Sequence, residues 1–278
     1  MKFIFFGTPK FASLVLKELL KENLAPEAVI CNPDRPIGRK KIVSPPPVKI
    51  IAIENKIPVL QPEDAKSIAD KISKLEIDIA VIAAYGKILS QNIINLPHLG
   101  TLGIHPSLLP KYRGASPIQN AILNDEKETG VTIYKLDGKM DHGPIIIQES
   151  SSLNGNETYL ELEEKLAIQG GKLFAKIIPK YVSNKIELKP QNHDEATFTK
   201  KIKTEDAFIK QEYLKNAEEG NKNKANEIYR KILALNPKPG PWTIKNGKRT
   251  KLLEAKIYKE KLILTLVQIE GKKPEKPL

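Results

Sequence analysis

The sequence predicts an α/β fold class, with a Rossmann-like domain built on a mostly parallel sheet and followed by a small β-rich domain. Three observations support this prediction. Through the first two thirds of the chain, short apolar runs of strand length alternate with segments of helical periodicity, as in the crossovers of a parallel sheet. After Leu188 the sequence becomes polar and this alternation stops. Near the end, apolar and polar residues alternate as in half-buried antiparallel strands.

The elements of the first domain follow in order. Residues 2–6 form an apolar run that ends at Gly7, which predicts a strand and a tight turn. The next segment predicts an amphipathic helix, with apolar residues at Phe11, Leu14, Val15 and Leu19. Further strands are predicted at 28–31, 77–84, 101–105, 130–136 and 145–150, and a long helix at about 158–182. Residues 33–47, rich in Pro, Arg and Lys, are predicted to be a long loop.

The remaining third predicts a second, smaller domain. Residues 189–204 are polar and are interpreted as a linker, so the domains are predicted at 1–188 and 205–278. The second begins with helical patterns and ends with predicted strands at 242–244, 251–257 and 262–269. The Asn246-Gly247 pair is typical of a hairpin turn between the first two of these strands. The end of the chain therefore predicts antiparallel pairing.

Composition is that of an ordinary globular protein, with 278 residues of which 40% are hydrophobic and 28% charged. No apolar run approaches the ~20 residues that a membrane-spanning helix needs. The first apolar run ends at Gly7, too early for the core of a signal peptide. Cys31 is the single cysteine, so no intrachain disulfide can form. We therefore expect a cytoplasmic protein that is not associated with a membrane.

The net charge of +12 is unevenly placed, because residues 189–278 hold 21 Lys+Arg against 12 Asp+Glu. A polyanionic partner is one interpretation, since neutralised phosphates release counterions and so favour binding. A lysine-rich surface that serves solubility alone is the other. Charge leaves both open.

Several classes of site are not supported by the motifs. The loop Gly7-Thr8-Pro9 lacks the further glycines of a dinucleotide-binding turn, and no P-loop pattern occurs. Four histidines and one cysteine show no metal-ligand spacing. These patterns give no support to Rossmann-type redox chemistry, nucleotide hydrolysis or a metal site.

Two loops carry the residues best suited to proton transfer. His105 ends a predicted strand and enters a proline-bounded loop, where an imidazole can act as acid or base near neutral pH. Asp141 lies in a turn between two later strands. Each has an ordinary alternative, because a lone histidine is more often structural and a turn aspartate usually bonds its own backbone.

Together these loops resemble the folate-dependent formyltransferases, in particular those that act on methionyl-tRNA. The resemblance rests on His105-Pro106-Ser107-Leu108-Leu109-Pro110, on Tyr112-Arg113-Gly114 and on Met140-Asp141-His142-Gly143-Pro144. It extends over nearly the whole chain through Phe6-Gly7-Thr8-Pro9, Pro33-Asp34-Arg35-Pro36, Ala84-Tyr85-Gly86, Gly130-Val131-Thr132, Thr197-Phe198-Thr199 and Asn236-Pro237-Lys238-Pro239-Gly240. It implies a formyltransferase fold at 1–188 and a small, basic, OB-like C-terminal domain that ends sooner than in most relatives.

The resemblance also implies a reaction. 10-Formyltetrahydrofolate would be the co-substrate, no metal would be needed, and the amino group of initiator methionyl-tRNA would accept the formyl group. His105 would stabilise the oxyanion or protonate the leaving nitrogen, and Asp141 would orient the imidazole. Gly103 stands where the family has a catalytic asparagine, and loss of one such donor costs about 10² to 10³ in rate. Three interpretations stay open: a slow enzyme, an enzyme in which water or another side chain replaces the missing donor, and a protein that binds its ligands without turnover. Gly103→Asn is expected to raise formyl transfer at least about tenfold.

Ligand contacts are implied residue by residue. Those expected to bind the folate are Tyr85, Gly86, Ile88, Ser107, Leu108, Leu109 and Pro110. Those expected to contact tRNA are Arg35, Arg39, Lys40 and Lys41, although a solvated basic loop is the alternative. We expect a monomer. Two other functions stay open, an N-formyltransferase of amino sugars or other small amines, which would not need the basic loop, and an inactive homologue that binds tRNA or folate.

Overall fold

The computed structural model describes residues 1–38, 40–63, 69–70 and 72–277. In this part of the chain the helices are α1 (Lys10–Lys21), α2 (Pro47–Glu54), α3 (Gln91–Ile94), α4 (Pro117–Leu123), α5 (Tyr159–Val182), α6 (Gln211–Glu219) and α7 (Lys222–Leu235). None of these described helices combines the length and apolar character needed to cross a bilayer. The residues group into two compact units, one of residues 1–114, 129–151 and 163–198, the other of residues 115–128, 152–162 and 199–278.

A seven-stranded sheet forms the centre of the first unit. Its strands are β1 (Phe3–Gly7), β2 (Ala28–Ile30), β5 (Val59–Leu60), β6 (Ile79–Ala83), β7 (Thr101–His105), β9 (Glu128–Lys135) and β10 (Ile145–Ser152), and their order is β10-β9-β7-β6-β1-β2-β5. The five strands from β7 to β5 pair in parallel, whereas β9 runs antiparallel to β7. All five residues of β1 are buried, because helices cover both faces of a sheet of this kind. The carboxyl ends of β6 and β7 therefore meet at one edge.

Smaller sheets complete the chain. β3 (Arg35–Ile37) and β4 (Ile42–Ser44) form an antiparallel hairpin, and β8 (Arg113–Gly114) pairs with β11 (Phe198–Thr199). In the second unit β12 (Trp242–Lys245), β13 (Lys248–Tyr258) and β14 (Lys261–Ile269) form an antiparallel sheet in that order. Side chains of α6 and α7 share a buried cluster with this sheet, including Leu214, Ile228, Leu252 and Val267. The second unit thus has its own core.

The predicted fold class is confirmed, with a mostly parallel sheet between helices and a small antiparallel β region after it. The strand predicted at 101–105 matches β7 residue for residue. One expectation was wrong, because part of the predicted loop at 33–47 is the β3–β4 hairpin. Ile42 and Val43 in this hairpin are about two thirds exposed. A hairpin that buries so little leaves no alternating pattern in the sequence.

Candidate active site

The candidate site lies where β6 and β7 end and β9 passes beside them. His105 is the last residue of β7, and it stands opposite Thr132 of β9. Two residues earlier on β7 and two residues later on β9, Gly103 stands opposite Tyr134. Residues i and i+2 of a strand point to the same face. These four positions therefore share one face of the β7–β9 ladder, and all four are buried.

His105 and Asp141, 36 residues apart in sequence, face each other. The His105 Nδ1 atom lies 3.7 Å from the Asp141 Oδ2 atom, close enough for charge attraction but longer than a hydrogen bond. The other ring nitrogen, Nε2, lies 2.9 Å from the carbonyl oxygen of Tyr112. A carbonyl only accepts, so Nε2 donates to it, and the neutral imidazole then carries its lone pair on Nδ1. Nδ1 is therefore the nitrogen that can take up a proton beside the carboxylate.

The side chain of Asp141 accepts hydrogen bonds from two donors. The Gly114 backbone N–H donates to Oδ2 at 2.7 Å, and the Tyr134 hydroxyl donates to Oδ1 at 2.6 Å. Burial, together with the neighbouring Asp141 charge, raises the pKa of Tyr134 well above its usual value, so the phenol stays protonated. The backbone of Asp141 has a φ of 48°, a left-handed conformation that aspartate tolerates better than most residues. The carboxylate is therefore fixed from both sides.

Position 103 has no room for a side chain in this arrangement. A Cβ atom built on Gly103 would overlap Cε1 of Tyr134 and would lie 2.6 Å from its Cζ and 2.9 Å from its hydroxyl oxygen. Contacts below 3.0 Å require the neighbour to move, and Tyr134 is buried. The gain in formyl transfer expected for Gly103→Asn therefore also requires movement of the Tyr134 ring, which already fills that space.

The loop after His105 is held by side chains that the sequence analysis did not single out. The Thr132 hydroxyl donates to the Ser107 carbonyl at 2.6 Å and accepts from the Leu109 N–H at 3.0 Å. Gln148 donates to the Leu109 carbonyl at 2.7 Å. Within the loop, the Ser107 hydroxyl donates to the Lys111 carbonyl at 2.6 Å. Polar residues inside the predicted strands at 130–136 and 145–150, namely Thr132 and Gln148, were the available signal, but strand partners were needed to interpret it.

The other expected folate-binding residues differ in exposure. Tyr85 is buried, its ring meets Phe6 edge-on, and its carbonyl accepts from Thr8 and Asn32. Gly86 has a φ of 78° and almost nothing within 4 Å of its Cβ position. Ile88 is 95% exposed, unusual for an aliphatic side chain. Leu109 is buried, whereas Leu108 and Pro110 are partly exposed.

A second missed group anchors the loop that carries Asp141. Gln191, buried, donates to the backbone carbonyls of Asp141 and Gly143 at 3.0 and 2.7 Å, and it accepts from Arg113 at 2.6 Å. The Arg113 guanidinium also lies 2.9 Å from Nδ1 of His193. Gln191 falls in the segment predicted as a linker, which is why sequence reasoning passed over it.

Of the residues expected to contact tRNA, those that the structure describes lie on the β3–β4 hairpin. Arg35 is in β3, and Lys40 and Lys41 are exposed beside the turn, while Arg39 lies outside the described residues. The base of the hairpin is fixed by Asp34, which accepts from Lys49 at 2.8 Å and from Gln61 at 2.8 Å. The hydrogen bond from Lys49 lowers the pKa of Asp34, and the smaller effect of the bond from Gln61 acts in the same direction. The exposed Lys40 and Lys41 therefore lie on a hairpin whose base is fixed by the bonds of Asp34.

The described residues favour neither a metal site nor a thiolate nucleophile. Among the described residues no group of three or more His, Cys, Asp or Glu side chains is placed to hold a metal ion. Burial raises the pKa of the Cys31 thiol to about 11, which opposes formation of a nucleophilic thiolate.

Comparisons with known proteins give a consistent result. The family profile "Formyl transferase" matches residues 1–178, and "Formyl transferase, C-terminal domain" matches residues 222–264. A methionyl-tRNA formyltransferase of Thermotoga neapolitana is 38% identical over 92% of this chain and 79% of its own. Among solved structures, a methionyl-tRNA formyltransferase from Clostridium thermocellum shares 19% identity with a TM-score of 0.63, covering 97% of this chain and 99% of its own. An N-formyltransferase from Helicobacter canadensis, solved with folinic acid and dTDP-3-aminofucose, shares 21% identity with a TM-score of 0.63, covering 95% of both chains.

Proposed function

The chain belongs to the methionyl-tRNA formyltransferase family, and we propose that it transfers a formyl group from 10-formyltetrahydrofolate to the amino group of initiator methionyl-tRNA, in translation initiation. One observation carries the proposal at the level of the site, namely His105 facing Asp141 beside the ends of β6 and β7. The fold does not separate tRNA from sugar acceptors, since solved structures of both kinds have a TM-score of 0.63. The acceptor is inferred from the sequence relatives.

The proposed chemistry assigns a role to each group. The acceptor nitrogen forms a bond to the formyl carbon, the bond from that carbon to N10 of the folate breaks, and a proton passes from the amine to N10. His105 Nδ1 takes up and returns this proton, because Nε2 is engaged by the Tyr112 carbonyl. Asp141 stabilises the imidazolium that forms between these events, through its charge 3.7 Å away.

We propose that the folate lies along the loop from Ser107 to Pro110 and beside Tyr85, Gly86 and Ile88. The bonds from Thr132 and Gln148 support this placement, because they fix the loop backbone that would line the ligand. The open space at Gly86 and the exposed Ile88 offer an apolar surface for a flat ring system. Holding both substrates together removes much of the entropic barrier.

We propose that the acceptor stem is held by Arg35, Arg39, Lys40 and Lys41, by contacts to phosphates that position the RNA without reading its sequence. The catalytic domain would comprise residues 1–188 and the basic C-terminal domain residues 205–278, joined by 189–204. We further propose that the protein acts as a monomer in the cytoplasm without a membrane partner.

The decisive experiment is a single-turnover formylation assay with methionyl-tRNA and 10-formyltetrahydrofolate. We expect formylated methionyl-tRNA and an equal amount of released tetrahydrofolate. In His105→Ala the rate should fall by about 10² to 10⁴, because the proton-transfer group is lost. Lys17→Ala on the exposed face of α1 is the matched surface control and should keep the wild-type rate.

Two results would contradict the proposal in different ways. Formylation of an amino-sugar nucleotide with none on methionyl-tRNA would assign the protein to small-amine acceptors. Binding of tRNA and folate without release of tetrahydrofolate would identify an inactive homologue. Methionyl-tRNA and an amino-sugar nucleotide are therefore both assayed as acceptors, and ligand binding is measured separately from turnover.

A further inference from the structure

Gly103 and Tyr134, cross-strand neighbours on β7 and β9, are the least expected pair in the site. Building on the proposed function, we propose that Tyr134 is a positioning residue for catalysis, whose hydroxyl holds the Asp141 carboxylate towards His105 and whose ring requires glycine at position 103. The ring of Tyr134 on β9 thus fills the space that a side chain at position 103 on β7 would occupy.

The hydroxyl is placed to orient the carboxylate. Tyr134 donates to Oδ1 of Asp141 at 2.6 Å, while the Gly114 N–H donates to Oδ2 at 2.7 Å. Two donors on opposite oxygens fix the rotation of the carboxylate plane. Oδ2, which faces Nδ1 of His105, keeps its position only while both bonds are made. Tyr134 therefore acts on the reaction through Asp141 and not by touching the substrates.

The ring explains why position 103 is glycine. Three ring and hydroxyl atoms of Tyr134 lie within 3.0 Å of the place where a Cβ would stand. The ring is buried, and because protein interiors are close-packed, its displacement is costly. A side chain at 103 would displace the phenol and, with it, the bond to Asp141. The two positions are coupled by contact, so their substitutions will not be additive.

A purely structural role for Tyr134 makes different predictions. A buried aromatic ring packs as well without its hydroxyl, and phenylalanine would then serve equally. The hydrogen bond to a charged carboxylate next to His105 is what argues against that reading, because it links the ring to the acid–base pair. Removing the hydroxyl while keeping the ring separates the two roles.

The first test compares Tyr134→Phe with Tyr181→Phe. Tyr181 is the matched control, because its hydroxyl also donates to an oxygen at 2.7 Å, the Leu99 carbonyl, away from Asp141. We expect Tyr134→Phe to lower kcat by about 10- to 100-fold, as for loss of a hydrogen bond to a charged group, with KM for both substrates changed by less than about twofold. Tyr181→Phe should keep kcat. Wild-type kcat in Tyr134→Phe, or a change confined to KM, would overturn the positioning role.

The second test is a double-mutant cycle that does not depend on turnover. Gly103→Ala should lower the thermal unfolding midpoint in the wild-type background, because its methyl group meets the Tyr134 ring. The same substitution in a Tyr134→Ala background should have little further effect. Equal losses in both backgrounds would overturn the coupling. Absence of formylation by the wild-type protein would count against the proposed function, while this cycle would still decide whether the pair is coupled.

Discussion

At the scale of single residues, neighbouring groups decide which nitrogen of a histidine carries a proton. His193 is an example. The His193 ring stacks on His142 with centroids 3.9 Å apart, and its Nδ1 lies 2.9 Å from Arg113 Nη2. A guanidinium only donates, so Nδ1 must accept and stay unprotonated. Desolvation is the main cause that lowers the pKa of His193. The nearby positive charges of His142, Arg113 and Lys139 lower it further. The folded protein therefore favours the neutral ring.

This shift predicts how stability depends on pH. Because the unfolded chain binds a proton near pH 6.5 and the folded chain binds it less readily, this contribution to stability is complete above pH 6.5 and is lost as pH falls below it. We expect the unfolding midpoint to fall less between pH 7.5 and 5.5 in His193→Gln than in the wild type. The same substitution at the exposed His98 is the control, and an identical fall in both variants would contradict the assignment.

At the scale of elements, the Asp141 loop depends on a side chain from a separate segment. Gln191 bridges the Asp141 and Gly143 carbonyls to the Arg113 guanidinium. Because Gln191 is buried, removing it leaves these groups without the bonds it made and without water to replace them. The β9–β10 connection is therefore held at its far side by the chain that follows α5.

We expect Gln191→Ala to lower the free energy of unfolding by about 2 kcal/mol. It should also reduce kcat by about tenfold, since a displaced Asp141 loses alignment with His105. Gln169→Ala is the control, because Gln169 makes similar bonds to the Glu149 and Ser150 carbonyls in an exposed setting where water can replace them. Chemical denaturation and steady-state kinetics measure both effects. A Gln191→Ala variant as stable and active as Gln169→Ala would contradict this role.

The elements also show what the sequence could predict and what it could not. Buried runs such as β1 and β7 were predicted because burial on both faces leaves a continuous apolar signature. His105 and Asp141 were singled out because loops at strand ends are recognisable from motifs. Tyr134, Thr132 and Gln191 were not, because their roles follow from the β7–β9 register and from long-range contacts. Neither feature leaves a local pattern.

At the scale of the whole molecule, charge is the property that matters for a polyanionic substrate. The net charge is +12, and residues 189–278 carry most of that excess. Binding to tRNA should therefore weaken steeply with salt, because bound phosphates release counterions. In the proposed function the exposed Lys40 and Lys41 of the β3–β4 hairpin would add a separate, local contribution.

A pair of double variants distinguishes the hairpin from charge in general. We expect Lys40→Ala with Lys41→Ala to weaken tRNA binding and to reduce the slope of log K against log salt by about 1.5. The control removes the same charge from exposed positions of α5, by Lys176→Ala with Lys180→Ala, and should leave the slope close to wild type. Fluorescence titrations at several salt concentrations give both slopes. Equal slopes for the two double variants would show that the hairpin makes no specific contact.

The contact between Gly103 and Tyr134 also constrains the order in which this molecule can change by descent. A lineage can lose the tyrosine first, because a smaller residue at 134 clashes with nothing at 103. Gaining a side chain at 103 first is more costly, because it displaces the ring and the bond that Tyr134 makes to Asp141. The less costly route between this arrangement and one with an asparagine at 103 therefore passes through a form that has neither group. The two positions should accordingly be inherited as a pair.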